Sequence, residues 1–322
     1  MAEESADTPA VIEHSTEPAD DTILEAPAFA EMPITKAIRI RVPTFVAPEA
    51  SVGNGDVTLV RPEFNLRGTL PVADSAVLRM TFRMAEHRYR FVGDVWGPPS
   101  ELPDNVDRDP DVWIGDLDLH SAQLGFEGAM RISRNTNWFS KKEEWGAIGG
   151  FYVGSRWEDD DFNSGTGAGG GIGIGYEIPD TLRLALGVSL RSPLTEADVD
   201  VGPLISLRWR PIERFTLRTR ELGLQAEYVV TPVLEVFLAG FRSTDRFRLN
   251  DRDPLGDISF RDRQIRIGAG FEWRLANWLR LALEGGSIVD RRIRVHEEDL
   301  GTLVSRRGDP SGYFEATIEL RL

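Results

Sequence analysis

The last ten residues, Tyr313 to Leu322, leave a chain few ways to fold. Phe314, Ala316, Ile318, Leu320 and Leu322 fall on one side of an extended segment; Tyr313, Glu315, Thr317, Glu319 and Arg321 fall on the other. Strict period-two alternation makes a strand with one apolar and one polar face. Such a strand keeps an unpaired backbone edge unless a neighbour covers it, and a closed barrel supplies one by pairing its last strand with its first. The expected partner is the strand that begins near Ala37.

The alternation recurs along the chain. Candidate strands lie near 37–46, 57–67, 76–91, 114–133, 144–157, 167–178, 181–191, 202–210, 214–219, 222–230, 233–249, 258–274, 278–293 and 312–322. The register of the second slips near Pro62, where a bulge or an edge position is expected. The strongest hairpin has Ile172, Ile174, Tyr176 and Ile178 alternating up to Pro179-Asp180, and Leu182, Leu184, Leu186, Val188 and Leu190 alternating away from it. The count is about fourteen; it becomes twelve if the short segments 214–219 and 222–230 merge or misregister. An even count places both termini on one rim.

Composition is compatible with such a wall. Hydrophobic residues make up 41% of the 322, and mean hydropathy is -0.26, because half of each spanning strand and every loop is polar. No run of 18 apolar residues occurs, so a transmembrane helix is excluded. With no cysteine, disulfides and thiolate metal sites are excluded too. The net charge is -15, of which residues 1–36 carry -8 through nine acids against Lys36. That segment has no useful periodicity and reads as disordered, ahead of a barrel domain at 37–322. It lacks the basic and apolar regions of a signal peptide. An exported protein is then expected to be represented here in mature or truncated form, its signal removed.

Connections sort by length. Short ones lie at Pro179-Asp180, Pro211-Ile212-Glu213, Thr231-Pro232 and Leu275-Ala276-Asn277; longer ones lie at 47–56, 92–113, 158–166, 192–201, 250–257 and 294–311. Short periplasmic turns and longer outer loops are the pattern of a closed antiparallel transmembrane β-barrel, all-β throughout. The outer loops are acidic, with Asp104, Asp107, Asp109 and Asp111, then Glu158 to Asp161, then Asp251, Asp253 and Asp257. Trp145, Tyr176, Trp209, Tyr228, Trp273 and Trp278 sit beside short turns, as an interfacial aromatic girdle would.

Two stretches carry a family resemblance. The run Leu204–Asn250, with Trp209-Arg210-Pro211, Leu222-Gly223-Leu224-Gln225-Ala226-Glu227-Tyr228 and Phe247-Arg248-Leu249, resembles an uncharacterised, domain-of-unknown-function family of bacterial outer-membrane, porin-like β-barrels. The ending, through Phe314, Ile318, Leu320 and Leu322, is similar to the terminal signal read by the barrel-insertion machinery, with Leu322 where Phe or Trp is usual. The resemblance implies a barrel in the bacterial outer membrane and supplies no catalytic residues.

The polar face is built from arginine and carboxylate. Only three of 37 basic residues are lysine. Arg79, Arg83, Arg183, Arg208, Arg218, Arg266 and Arg280 lie opposite or between apolar rows, and Glu227, Glu272, Glu284, Glu315 and Glu319 occupy comparable positions. Arginine and carboxylate on adjacent strands form planar, bidentate ladders. Such a ladder lines a charged pore that filters small solutes, or fills a narrow barrel that conducts poorly. The residues favour neither reading.

Other chemistries find little support. Gly165-Thr166-Gly167-Ala168-Gly169-Gly170 fits G-x-G-x-x-G, but Gly171, Gly173 and Gly175 alternating with Ile172, Ile174 and Tyr176 make a strand where a dinucleotide site needs a helix. The glycines are expected to leave lumen space or permit strong coiling. Asp107, Asp109 and Asp111 have calcium-loop spacing without its glycine and closing glutamate. Weak divalent binding there, or bridging to lipopolysaccharide through cations, remains an expectation. An outer-membrane hydrolase needs a nucleophile and a base. Of His14, His87, His120 and His296 only His87 is plausibly placed, with no evident partner. A soluble β-barrel binding a small ligand explains the sorted loops poorly, and the acidic balance disfavours nucleic acid. The expectation is therefore a passive, porin-like channel or a structural barrel, not an enzyme and without a cofactor. Its partners would be outer-membrane lipid, lipopolysaccharide and the insertion machinery.

Overall fold

A computed structural model describes residues 37–96, 115–136, 142–158, 165–192, 199–249, 258–297 and 301–322. The segment 1–36 and the loop acids Asp104, Asp107, Asp109, Asp111, Asp159, Asp160, Asp161, Asp251, Asp253 and Asp257 lie outside them.

Fifteen strands form one antiparallel sheet. The first five are β1 (Ala37–Val52), β2 (Asn54–Ala73), β3 (Ala76–Asp94), β4 (Leu117–Thr136) and β5 (Lys142–Glu158). The next five are β6 (Thr166–Ile178), β7 (Leu182–Arg191), β8 (Asp200–Ile212), β9 (Phe215–Thr219) and β10 (Leu222–Thr231). The last are β11 (Leu234–Arg248), β12 (Ile258–Ala276), β13 (Leu279–Glu297), β14 (Gly301–Gly308) and β15 (Ser311–Arg321). Each pairs with its neighbour in sequence through β13, and β15 closes the ring on β1 from Arg39↔Arg321 to Val46↔Phe314.

The wall has fourteen positions because β14 and β15 share one. Both run antiparallel to β13, β14 from Arg291↔Gly308 to Glu297↔Gly301 and β15 from Leu279↔Leu320 to Ile288↔Ser311. They are parted at Asp309-Pro310, where proline has no N–H for the ladder. The fallback of twelve does not apply: β9 and β10 are separate strands that reverse at Arg220-Glu221, with Glu221 at φ 48°.

The loop sorting is less complete than the sequence implies. β1 and β2 run on to Val52 and from Asn54, so the expected loop 47–56 is a tight turn at Gly53, whose φ of 62° suits glycine. Pro48 and Glu49 obscured this, because the ladder shifts register between Ala47 and Ala50. The expected bulge at Pro62 is absent from both flanking ladders: pairing with β3 jumps from Val60↔Arg88 to Glu63↔Ala85 in unchanged register. Most of the expected loop 294–311 is strand, the ends of β13 and all of β14. Long connections remain after β3, β5, β7 and β11.

The two faces differ as the alternation requires. The outer side of β12 reads Ile265, Ile267, Ala269, Phe271, Trp273 and Leu275. Ten residue steps rise about 33 Å along a strand, or about 25 Å across a wall tilted near 40°, the height of a bilayer-facing apolar band. Large apolar side chains stay exposed around the whole circumference, among them Val42, Met84, Phe151, Ile172, Leu186, Ile205, Leu238, Ile267 and Ile318.

The interior is divided by height. Above, between β1–β4 and β11–β14, an apolar roof is packed from Val57, Leu59, Tyr89, Trp96, Leu117, Leu119, Phe247, Ile258, Phe260, Ile293 and Val295. Tyr89 and Phe260 meet edge to face at 4.8 Å. β9 is only five residues long, so the wall there is low, and β11 rising above it leans into contact with β5. Below the roof most inward side chains are polar, apart from a small buried apolar cluster of Val77, Ala129, Ile148, Ala185 and Leu204.

Candidate functional site

Inward positions on the lower strands bring arginine and glutamate together rung by rung. Arg83 Nε and Nη2 donate to the two carboxylate oxygens of Glu63 at 2.9 and 3.0 Å, a bidentate pair across β2 and β3. Arg79 pairs with Glu127 at 3.1 Å and Arg183 with Glu177 at 3.1 Å. Arg218 pairs with Glu227, and Arg280 with Glu272. At the seam, Arg39 and Arg41 reach Glu319 at 3.6 and 3.5 Å, and Arg321 donates to it at 2.5 Å.

Glu284 and Arg220 span the lumen. Arg220 donates to Glu284 at 2.5 Å and lies 4.0 Å from Glu315, linking the low hairpin to β13 and β15. Tyr313 Oη donates to the other Glu284 oxygen at 2.6 Å. Its ring crosses bare backbone at Gly268, where a Cβ would stand 2.1 Å from Oη. Arg266 belongs to a different layer. It is fully buried, its guanidinium carbon 3.9 Å from the centre of the Phe45 ring, and its Nε donates to Gln264 at 2.9 Å. Gln264 in turn donates to Asp262 at 2.8 Å, and Arg291 grips Asp262 at 2.7 and 3.2 Å. This buried chain is the floor of the apolar roof.

Two spaces lie beneath and beside that roof. One chamber, open to solvent, is lined by Arg41, Arg61, Glu63, Arg83, Arg218 and Arg220 among others. A second, narrower space shares Arg83 and is lined by His87, Tyr152, Arg156 and Asp245, with Gly167 and Ser192 beside the shorter strands. The polar space thus skirts the roof on the side of β5–β7. Cations on rigid strands around a wet chamber can attract, orient and pass small charged solutes.

The positions singled out in the sequence fall as follows. Arg79, Arg83, Arg183, Arg218, Arg280, Glu227, Glu272, Glu284, Glu315 and Glu319 occupy ion-pair positions on the inner face. Arg208 stands in register with Arg183 and Arg218. Arg266 stacks on aromatic rings above the ladder. Trp145, Trp209, Tyr228, Trp273 and Trp278 are exposed near the short-turn rim, and Trp145 packs on Tyr176 at 4.8 Å. Phe314, Ile318 and Leu322 face outward. The glycines of β6 lie in a strand, and Tyr152 passes over Gly169, where a Cβ would stand 2.4 Å from its Oη.

Sequence reading missed Glu63, Asp245, Asp262, Gln264 and Arg291. The signal was present: Asp262, Gln264 and Arg266 are two apart on the face that carries Glu272. His87 Nδ1 lies 3.7 Å from Asp245, beyond hydrogen-bond reach, and Arg61 holds the same carboxylate oxygen at 3.3 Å. Among the described residues no group of three or more His, Cys, Asp or Glu is arranged to hold a metal ion.

No protein-family model matches the chain, and no curated protein matches it. Solved structures do. An outer-membrane channel from Pseudomonas putida F1 is 12% identical, with a TM-score of 0.43 over 94% of this chain and 100% of that one. A Pseudomonas aeruginosa FadL homologue is 10% identical, with a TM-score of 0.46 over 89% and 90%. The translocator domain of the autotransporter NalP from Neisseria meningitidis is 8% identical, with a TM-score of 0.31 over 89% of each chain. The chain itself is a closed, fourteen-position antiparallel β-barrel, an assignment that stands on its own strand registers.

Proposed function

We propose that this barrel sits in a bacterial outer membrane and conducts small solutes passively through its arginine- and glutamate-lined lower lumen. The observation that carries the reading is the solvent-open, charge-lined chamber inside a wall whose outer face is apolar over a bilayer's height. The short-turn rim, with Trp209, Trp273 and Trp278, faces the periplasm, and the strand ending at Leu322 is what the insertion machinery reads. The route passes Arg83 into the second space and leaves beside the roof.

A second reading, a barrel with no conductance, draws on the roof itself: Leu59, Leu117, Leu119, Phe260 and Ile293 are fully buried and packed together across the interior. Single-molecule conductance in a planar bilayer decides between them. Reproducible steps from folded protein support the channel. Silence from protein whose folding is verified by heat-modifiable gel mobility refutes it and leaves the plugged barrel. A chain that stays monodisperse and monomeric without detergent refutes the membrane placement.

A further inference from the structure

A second set of arginines faces away from the lumen, on the upper outer surface of β11–β14. Arg246, Arg261 and Arg294 stand directly opposite one another across three strands. One rung below, Arg263, Arg292 and Arg307 do the same. Facing residues on adjacent strands hold their Cβ atoms about 4.5–5.5 Å apart, and like charges so placed repel. Asp290 moderates the lower row, 3.9 Å from Arg263 and 3.0 Å from Arg307. The upper row continues into Ser305.

The height of this grid is informative. On the outer side of β12, Arg263 is the next residue above Ile265, whose rung carries Arg242 on β11 and Asp290 on β13, so the apolar band of these strands begins one rung lower, at Ile267. Four residues raise the chain about 10 Å along a tilted wall, which places the lower row at the headgroup level of the outer leaflet. We propose that the grid binds the phosphate groups of a phosphorylated lipid in that leaflet, whose acyl chains lie on Ile267, Ala269 and Phe271 below. Planar guanidinium groups in rows match phosphate oxygens bidentately, and a bound phosphate offsets the repulsion that the rows build in. The inference rests on the outer-membrane reading but not on conductance.

The test uses the full chain in phosphatidylcholine vesicles containing either bis-phosphorylated lipid A or the same lipid stripped of phosphate, with lipid retention read by native mass spectrometry. Phosphorylated lipid A is expected to be retained and the stripped form lost. Arg261→Gln/Arg263→Gln/Arg292→Gln/Arg294→Gln lowers the affinity on the order of 1000-fold, given the effect of each basic residue near an anionic surface. Arg261→Gln/Arg294→Gln covers the case in which four changes impair folding, and Arg88→Gln, outward on β3, leaves retention unchanged. Equal retention of the stripped lipid, or full affinity in a folded variant, overturns the proposal. Conductance measured on the same sample separates the readings: a silent barrel that holds lipid A refutes the channel alone, and a conducting barrel indifferent to phosphate refutes this site alone.

Discussion

Asp262→Ala tests whether the roof is dry. Asp262 and Arg291 are both fully buried, joined by two hydrogen bonds of 2.7 and 3.2 Å, with Gln264 donating to the same carboxylate at 2.8 Å. Removing the carboxylate leaves a buried guanidinium beside Tyr89 without the partner that it hydrogen-bonds. Breaking one partner of a buried pair costs about 3–5 kcal/mol. Replacing both, as Asp262→Leu/Arg291→Met, restores most of that loss, because apolar side chains of similar volume in a dry core are neutral to stabilising. The measurement is guanidinium-induced unfolding in detergent micelles, followed by tryptophan fluorescence. A loss under about 1 kcal/mol for Asp262→Ala, with no recovery in the double variant, would refute the reasoning, since water would then already reach Arg291. The roof would be permeable, and the axial route would open.

Three further outcomes are expected. Ala269→Arg, outward at mid-height of the apolar band, costs about 2–4 kcal/mol of folding stability in a membrane; a soluble surface tolerates it within about 0.5 kcal/mol, so refolding equilibria in vesicles tell the two apart. Gly268→Ala displaces the Tyr313 hydroxyl, 2.1 Å from the new Cβ, and destabilises by about 1–3 kcal/mol in the same unfolding assay; Tyr313→Phe in that background recovers part of it. Arg83→Glu places a second carboxylate beside Glu63 in the chamber, and reversal potentials under a salt gradient shift toward cations.

What the sequence revealed was whatever period two controls. The inward and outward sides of the last strand, the pairing with β1 and the hairpin at Pro179-Asp180 follow from alternation, which the pleat fixes. Alternation says little about strand ends. The top of β1, expected as part of the loop 47–56, is strand, because a bulge absorbs Pro48 and Glu49. The roof was illegible for another reason. Val57, Leu59, Ile293 and Val295 are inward and apolar where the lower strands are inward and polar, a change of solvent with height that no local pattern encodes. Arg266 shows the same limit: its inward direction is plain from Gln264 and Glu272, but its seat on Phe45 depends on closure of the whole ring.

The low wall at β9 has a mechanical corollary. Its ladder with β8 has three pairs, Arg208↔Arg218, Trp209↔Leu217 and Ile212↔Phe215, with the register broken between the last two and the Thr219 hydroxyl on the Leu207 backbone beyond them, whereas β12 and β13 are zipped from Ile258↔Glu297 to Ala276↔Leu279. A hoop under tension parts at its thinnest stave. Amide protons of β8 and β9 should therefore exchange with deuterium soonest, and a stretched molecule should tear there first, whatever the solute that passes inside.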